Sequence, residues 1–255
     1  MHDTPAAFFA ALDVAGAPRE LVALGGHLDV DTLVAAYRAG CFPWPVSGPY
    51  EAPLERDARR LVLHGEVPLV PGTDLTGTLL PWMSPHPRPV VFPDEVAVPR
   101  ALRKRLRRCG WETTVDRAFD AVIAACADRD ETWITAGMQD AYRALHRAGV
   151  AHSLEVWDGD RLVGGLYGVL TGRIFAGESM FYRVPDASKA AVVDLCQRAV
   201  EAGVVVIDTQ DESDHMARLG QVLIHRGDYV HLLRLLRDEP VVLPGDRRPV
   251  ARLAG

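Results

Sequence analysis

An apolar run that stops at polar side chains is the first place where this sequence could do chemistry. Val204-Val205-Val206-Ile207-Asp208-Thr209-Gln210 reads as a strand, and alternation along it puts Asp208 and Gln210 on one face. The same pattern also fits a strand end turning into solvent. Upstream, Gly177-Glu178-Ser179-Met180-Phe181 sets a carboxylate beside a hydroxyl. It lacks the final Gly of a G-x-S-x-G nucleophile elbow, and a strand pattern runs through it where an elbow would turn. A serine hydrolase is therefore a weak alternative. Arg100-Ala101-Leu102-Arg103-Lys104-Arg105-Leu106-Arg107-Arg108 points to a different chemistry. As a helix it aligns Arg100, Arg103, Lys104, Arg107 and Arg108 on one stripe, with Leu102 and Leu106 on another face to anchor it. Like charges with no interleaved acid repel one another, which favours a polyanion partner over a plain solvated face.

Other reactive side chains are less pointed. The nine histidines show no H-E-x-x-H or comparable ligand spacing, so no metal is expected. Cys41, Cys109, Cys126 and Cys196 form no C-x-x-C pair, and reduced thiols are the plain reading. Arg161-Leu162-Val163-Gly164-Gly165-Leu166 partly matches the loop that holds the pyrophosphate of acetyl-coenzyme A in GNAT acetyltransferases. It falls on a strand, whereas such a loop should open a helix whose free N–H groups meet the phosphates. Coenzyme A binding is thus unsupported, and no cofactor is expected.

The elements that must position these groups follow from periodicity and breakers. Residues 1–44 read as two short helical pieces joined by Gly25-Gly26, with Asp31–Ala39 the better helix and Gly40 its stop. Residues 45–81 are rich in Pro and Gly and read as a long loop, with a short strand over Arg60–His64. Trp82–Pro89 is extended because residues before proline avoid helix, and Val90–Phe92 is a strand. Helices are expected at 97–108, 116–127, 137–148, 187–202 and 214–225, and strands at 151–157, 161–170, 173–182 and 204–209. Asp158-Gly159 marks a hairpin, so the middle is an antiparallel meander followed by a helix and a further strand. The Pro- and Arg-rich tail, 238–255, is expected to be partly disordered. With 255 residues, 48% hydrophobic, there is chain enough for one large domain or two small ones. The net charge of −6 means that any nucleic-acid binding would need a local basic patch. No signal peptide or membrane-spanning run is apparent, and no membrane partner is expected.

Taken together, Leu24-Gly25-Gly26, Gly40-Cys41-Phe42-Pro43-Trp44, Trp82-Met83-Ser84-Pro85-His86-Pro87-Arg88, Thr132-Trp133-Ile134, Ala151-His152-Ser153-Leu154-Glu155, Gly177-Glu178-Ser179-Met180-Phe181, Ala187-Ser188-Lys189, Ile207-Asp208-Thr209-Gln210 and Leu219-Gly220 resemble the leucyl/phenylalanyl-tRNA–protein transferase family. They occur in family order. The resemblance implies an α+β fold: a small N-terminal domain, residues 1–92 with the insert at 45–81, and a GNAT-like catalytic domain, residues 93–255, whose mostly antiparallel sheet is flanked by helices. It implies transfer of Leu or Phe, less readily Met, from aminoacyl-tRNA to acceptor proteins with N-terminal Arg or Lys. That mark leads to degradation by the N-end rule in the cytoplasm, by an enzyme expected to be a monomer.

By resemblance, Trp44 and Trp133 hold the terminal adenosine of the tRNA. Leu166, Phe175, Met180, Leu195 and Ile207 form the pocket for the donor side chain, and the basic stripe meets tRNA phosphates. Asp208 and Gln210 occupy the family's catalytic positions, with Glu178 orienting an amine or a ribose hydroxyl. A glutamine amide is too weak a base to take a proton near neutral pH. Gln210 is therefore expected to aim the incoming amine, with Asp208 bonded to its side-chain amide. Two departures stand out: the insert at 45–81 is longer than usual, and Arg218 replaces the family's usual Ser before Leu219-Gly220.

Overall fold

Main-chain pairing divides the computed structural model, which describes residues 4–45, 51–129 and 132–255, into a small three-stranded sheet and a large eight-stranded one. The chain opens with helix α1 (Pro5–Ala11), whose first turn is capped by the Thr4 hydroxyl. The expected first helical piece gives way after α1 to strand β1 (Leu21–Leu24). Gly25 and Gly26, at φ 88° and 79°, end this strand in a conformation that other residues rarely adopt. Helix α2 (Val30–Ala39) is capped by Asp29 and stopped by Gly40 at φ 93°, close to expectation.

Strands β2 (Phe42–Pro43) and β3 (Pro81–Met83) complete the small sheet in the order β1-β3-β2. Trp82 is fully buried there and donates its indole N–H to the Gly25 carbonyl at 2.7 Å. Between β2 and β3 the expected loop contains helix α3 (Glu51–Leu63), which replaces most of the strand expected at Arg60–His64. Pro53 lies in its first turn, where a missing N–H costs nothing. Ala58, Leu61 and Val62 recur at helical spacing and pack on a small cluster of Leu24, Val67 and Leu79. The surrounding prolines and glycines mask that period in the sequence.

The large sheet runs β10-β4-β9-β8-β7-β6-β5-β11. Its strands are β4 (Arg88–Val91), β5 (Glu112–Val115), β6 (Ala151–Asp158), β7 (Arg161–Thr171), β8 (Ile174–Tyr182), β9 (Val206–Asp208), β10 (Val222–Ile224) and β11 (Arg248–Pro249). All neighbours are antiparallel except β8 and β9, which are parallel. The meander is thus β6-β7-β8, as expected, and α7 (Ala187–Ala202) makes the crossover to β9. The remaining helices are α4 (Arg100–Leu106), α5 (Phe119–Ala127), α6 (Ala136–Arg147), α8 (Asp214–Ala217) and α9 (Arg226–Leu236).

Two other expectations fail. The helix over 214–225 is only the short α8, after which Gly220 at φ 99° turns the chain into β10. The tail is ordered onto the core: β11 pairs with β5, and Val250, Leu253 and Ala254 of the final 3-10 turn are buried. Three apolar residues spaced through Val250–Ala254 outweigh the Pro and Arg content that suggested disorder. Among the described residues no helix is long and apolar enough to cross a membrane.

Candidate active site

The parallel pair β8 and β9 brings the two carboxylates of interest to neighbouring strands. Ala176 faces Asp208 in the register, and Glu178 follows two residues later, at the irregularity where β8 slips one residue against β7. Strand β4 flanks β9 on its other edge and supplies Arg88, whose Nε donates to Asp208 Oδ1 at 2.9 Å and whose Nη2 reaches Oδ2 at 2.5 Å. Tyr229 of α9 donates its hydroxyl to Oδ2 at 3.0 Å. Arg88 and Asp208 are both buried, and Arg88 spends its other donors on the Gly40 carbonyl and the Ser84 hydroxyl. Such a pair survives burial because charge and hydrogen-bonding capacity are both satisfied.

Gln210 departs from the expected geometry. Strand β9 ends at Asp208, and Gln210 has a left-handed backbone, φ 63°, so simple alternation does not place its side chain. Its backbone N–H, not its side-chain amide, donates to Asp208 Oδ1 at 3.0 Å. The side-chain Nε2 donates instead to Glu178 Oε1 at 2.6 Å. The expected bond between Asp208 and the Gln210 side chain is therefore replaced by two separate ones. Asp208 fixes the backbone turn, and Glu178 fixes the amide. A residue with positive φ other than Gly is uncommon and has to be held by its surroundings.

Among the described residues Glu178 is buried without a cationic partner. Its Oε2 accepts from Tyr142 at 2.6 Å, and the Tyr142 hydroxyl lies 2.5 Å from that of Tyr37 on α2. Burial pushes its carboxyl up to about 7, against the hydrogen bonds from Tyr142, Tyr37 and Gln210 that favour the charged form. Near neutral pH it can therefore exist in either protonation state. Neither Tyr37 nor Tyr142 was expected in the site, although Ala141-Tyr142 is among the stretches that match the family. Tyr142 falls on the apolar face of α6, where an aromatic residue reads as core.

Beside Glu178 lies a cavity of about 100 Å³ lined by Leu166, Met180, Leu195 and Ile207, together with Val192, Met216 and Thr209. Four of the five residues expected to hold an apolar side chain thus meet around one space. Phe175 is buried in the same apolar cluster but does not line the cavity. Val192 and Met216 were missed, although Val192 sits one helical turn from Leu195. An apolar cavity of ~150 Å³ takes up benzene, so this one suits a single side chain of modest size.

Trp44 and Trp133 stack on each other, ring centroids 5.4 Å apart and planes 13° from parallel. Trp44 and Gln210 also line one recess of about 190 Å³ with Phe42, Met83 and Glu20. The basic stripe stands apart from both spaces. Arg100, Arg103, Lys104, Arg107 and Arg108 are exposed while Leu102 and Leu106 are buried, as the pattern requires. Helix α4 spans seven residues, so Arg107 and Arg108 follow its last turn, and Arg107 donates to the Ala254 carbonyl at 2.9 Å. Among the described residues no three His, Cys, Asp or Glu side chains group as a metal ion would require.

Comparison with known proteins identifies the family of the chain. The family model for leucyl/phenylalanyl-tRNA protein transferase matches residues 90–234, and that for the N-terminal domain of the same transferases matches residues 26–50. Leucyl/phenylalanyl-tRNA–protein transferases of Pseudomonas fluorescens and Pseudomonas aeruginosa are each 44% identical over 227 residues, covering 88% of this chain and 88% of theirs. One from Shewanella baltica is 41% identical over 228 residues, covering 88% of this chain and 84% of its own. The first match spans more than half of the chain, and these relatives align along most of it: the chain belongs to the leucyl/phenylalanyl-tRNA–protein transferase family.

Proposed function

We infer that this protein is an aminoacyltransferase that moves Leu or Phe, and less readily Met, from charged tRNA to the N-terminal Arg or Lys of acceptor proteins. The observation that carries the reading is Gln210. Its amide is held by Glu178, which lines the apolar cavity, and Gln210 itself lines the recess that contains Trp44. An apolar side chain in the cavity and a nucleoside against Trp44 and Trp133 would place the connecting ester near that amide. The two indoles already touch, so an adenine stacks on an outer face or parts them. The exposed cations from Arg100 to Arg108 would meet phosphates farther along the tRNA.

The chemistry asks little beyond positioning. The ester is already activated, and an α-amine with a pKa of about 7.7–8.0 is partly neutral near pH 7. Its lone pair attacks the ester carbonyl, the C–N bond forms, and the ester C–O bond breaks. The Gln210 Oε1 accepts a hydrogen bond from the amine and aims it. Glu178 is suited to take the amine proton and return one to the departing ribose oxygen. Asp208 is engaged by Arg88, Tyr229 and the Gln210 backbone, so it acts as a positioning residue, not as a site for the acceptor's cation. The large sheet with its crossover helix fits a GNAT-like catalytic domain that takes in β4 (Arg88–Val91), so the small domain before it ends short of the expected residue 92. We further read the enzyme as a cytoplasmic monomer serving the N-end rule.

Transfer of labelled Leu or Phe from charged tRNA to peptides tests this directly. Peptides beginning with Arg or Lys should be modified. Equal rates with peptides beginning with Ala or Glu would defeat the acceptor specificity, and no transfer at all would defeat the reading.

A further inference from the structure

A second opening, of about 560 Å³, shares Met180 with the aminoacyl cavity and has no part in the chemistry above. Arg129, Arg183, Ser188 and His215 line it, and Asp128 is the one acid lining it among the described residues. Ser188 is the second residue of the 16-residue helix α7 and is 4% exposed. Its hydroxyl lines the opening and makes no hydrogen bond among the described residues. His215 Nε2 is also buried, with no hydrogen-bond partner among the described residues. The first turn of α7 is uncapped, because the carboxylate of Asp186 is drawn to Lys189 Nζ at 2.7 Å. The N–H groups of Ser188 and Lys189 therefore have no capping acceptor, at the end of the helix where its dipole favours an anion. Unmet donors gathered beside two arginines describe a site for an oxyanion.

We propose that this opening binds a phosphodiester of the donor tRNA, the one joining its terminal nucleotide to the preceding one. Ser188 Oγ, the N–H groups of Ser188 and Lys189, His215 Nε2 and the Arg183 guanidinium are the donors. The assignment rests on the reading that the aminoacyl group occupies the adjoining cavity. With the amino acid there, this phosphodiester is the nearest anion that the donor carries. It also gives Ala187-Ser188-Lys189 a purpose that the transfer chemistry leaves open.

Two minimal donors separate the site from the reaction. Phenylalanyl-adenosine carries the aminoacyl ester and no phosphate, whereas phenylalanyl-CpA adds the single phosphodiester. Transfer from each to a peptide with N-terminal Arg is measured for the wild type, Ser188→Asp and Arg183→Gln. An aspartate near the start of a helix suits the helix end, and it sets a carboxylate where the phosphate would lie. Ser188→Asp should raise KM for phenylalanyl-CpA roughly tenfold or more and leave KM for phenylalanyl-adenosine within about twofold. Arg183 is exposed, so Arg183→Gln spares the fold and should weaken phenylalanyl-CpA alone. Equal effects on the two donors, or no effect on either, would overturn the phosphate site. A wild type that uses neither donor would overturn the transferase reading, and the phosphate site with it.

Discussion

Two buried carboxylates lie on adjacent strands of one sheet, and they are handled in opposite ways. Asp208 receives a full counter-ion from Arg88, a hydroxyl from Tyr229 and a backbone N–H. Among the described residues Glu178 receives only neutral donors: Tyr142, Tyr37 and the Gln210 amide. The first is a paired carboxylate that shapes the chain around it. The second is left near its titration point, with burial raising its carboxyl to about 7. Gln210 ties the two together, its backbone to one and its side chain to the other. A counter-ion thus turns a buried acid into scaffold, and its absence leaves the acid free to exchange a proton.

Breaking the scaffold side should have the largest effect. Asp208→Asn leaves Arg88 charged and unpaired in the interior, which should cost about 3–5 kcal/mol of stability in urea denaturation. It should also depress kcat at temperatures where the variant remains folded, because the turn at Gln210 loses its anchor. A stability change within experimental error would remove the distinction between the two acids.

On the other side, Glu178→Gln should change pH behaviour more than stability at neutral pH. The wild-type rate should rise as pH increases through about 7, as Glu178 loses its proton. The variant should keep only the limb belonging to the acceptor amine, at about 7.7–8.0. Stability should run the other way. A carboxyl raised in the folded state binds its proton more tightly there than in the unfolded chain. Its contribution is present in full below the unfolded value of about 4.3 and is lost as pH rises through about 7. Wild type should therefore lose stability over that window relative to Glu178→Gln. Parallel curves for the two proteins would show that Glu178 does not titrate there.

The smallest effect sharpens the contrast. Tyr142→Phe removes a hydrogen bond to the charged form of Glu178, so the rising limb of activity should move to higher pH by about one unit. The Asp208 half should be untouched, with the urea midpoint of Tyr142→Phe far closer to wild type than that of Asp208→Asn. A limb that stays in place would assign the titration to another group.

The sequence made Asp208, Gln210 and Glu178 visible because an apolar run ending in polar residues is a local pattern. The meander and its crossover helix were legible for the same reason, since periodicity and turn residues are local. What links the site was not. Arg88 and Tyr229 lie 120 and 21 residues from Asp208, and no spacing announces such partners. Strand alternation misplaced the Gln210 side chain because β9 ends two residues early, at a left-handed backbone that only tertiary hydrogen bonds can hold. Helix α3 and the packed tail were hidden by prolines, glycines and arginines whose composition outweighed a few apolar residues at the right spacing. The place of Ser188 in the second opening is a fact of packing and has no counterpart in one dimension.

The cavity beside Glu178 is walled in part by Met180 and Met216. Thioether side chains are unbranched and polarisable, so they reshape around whatever they touch at little cost. A wall of that kind behaves less like a mould than like upholstery. It can close on a branched aliphatic group and on a flat ring without altering the strands behind it. Breadth of donor choice would then be a mechanical property of two side chains. A lineage selected to accept one amino acid alone would be expected to stiffen those two positions before changing anything else.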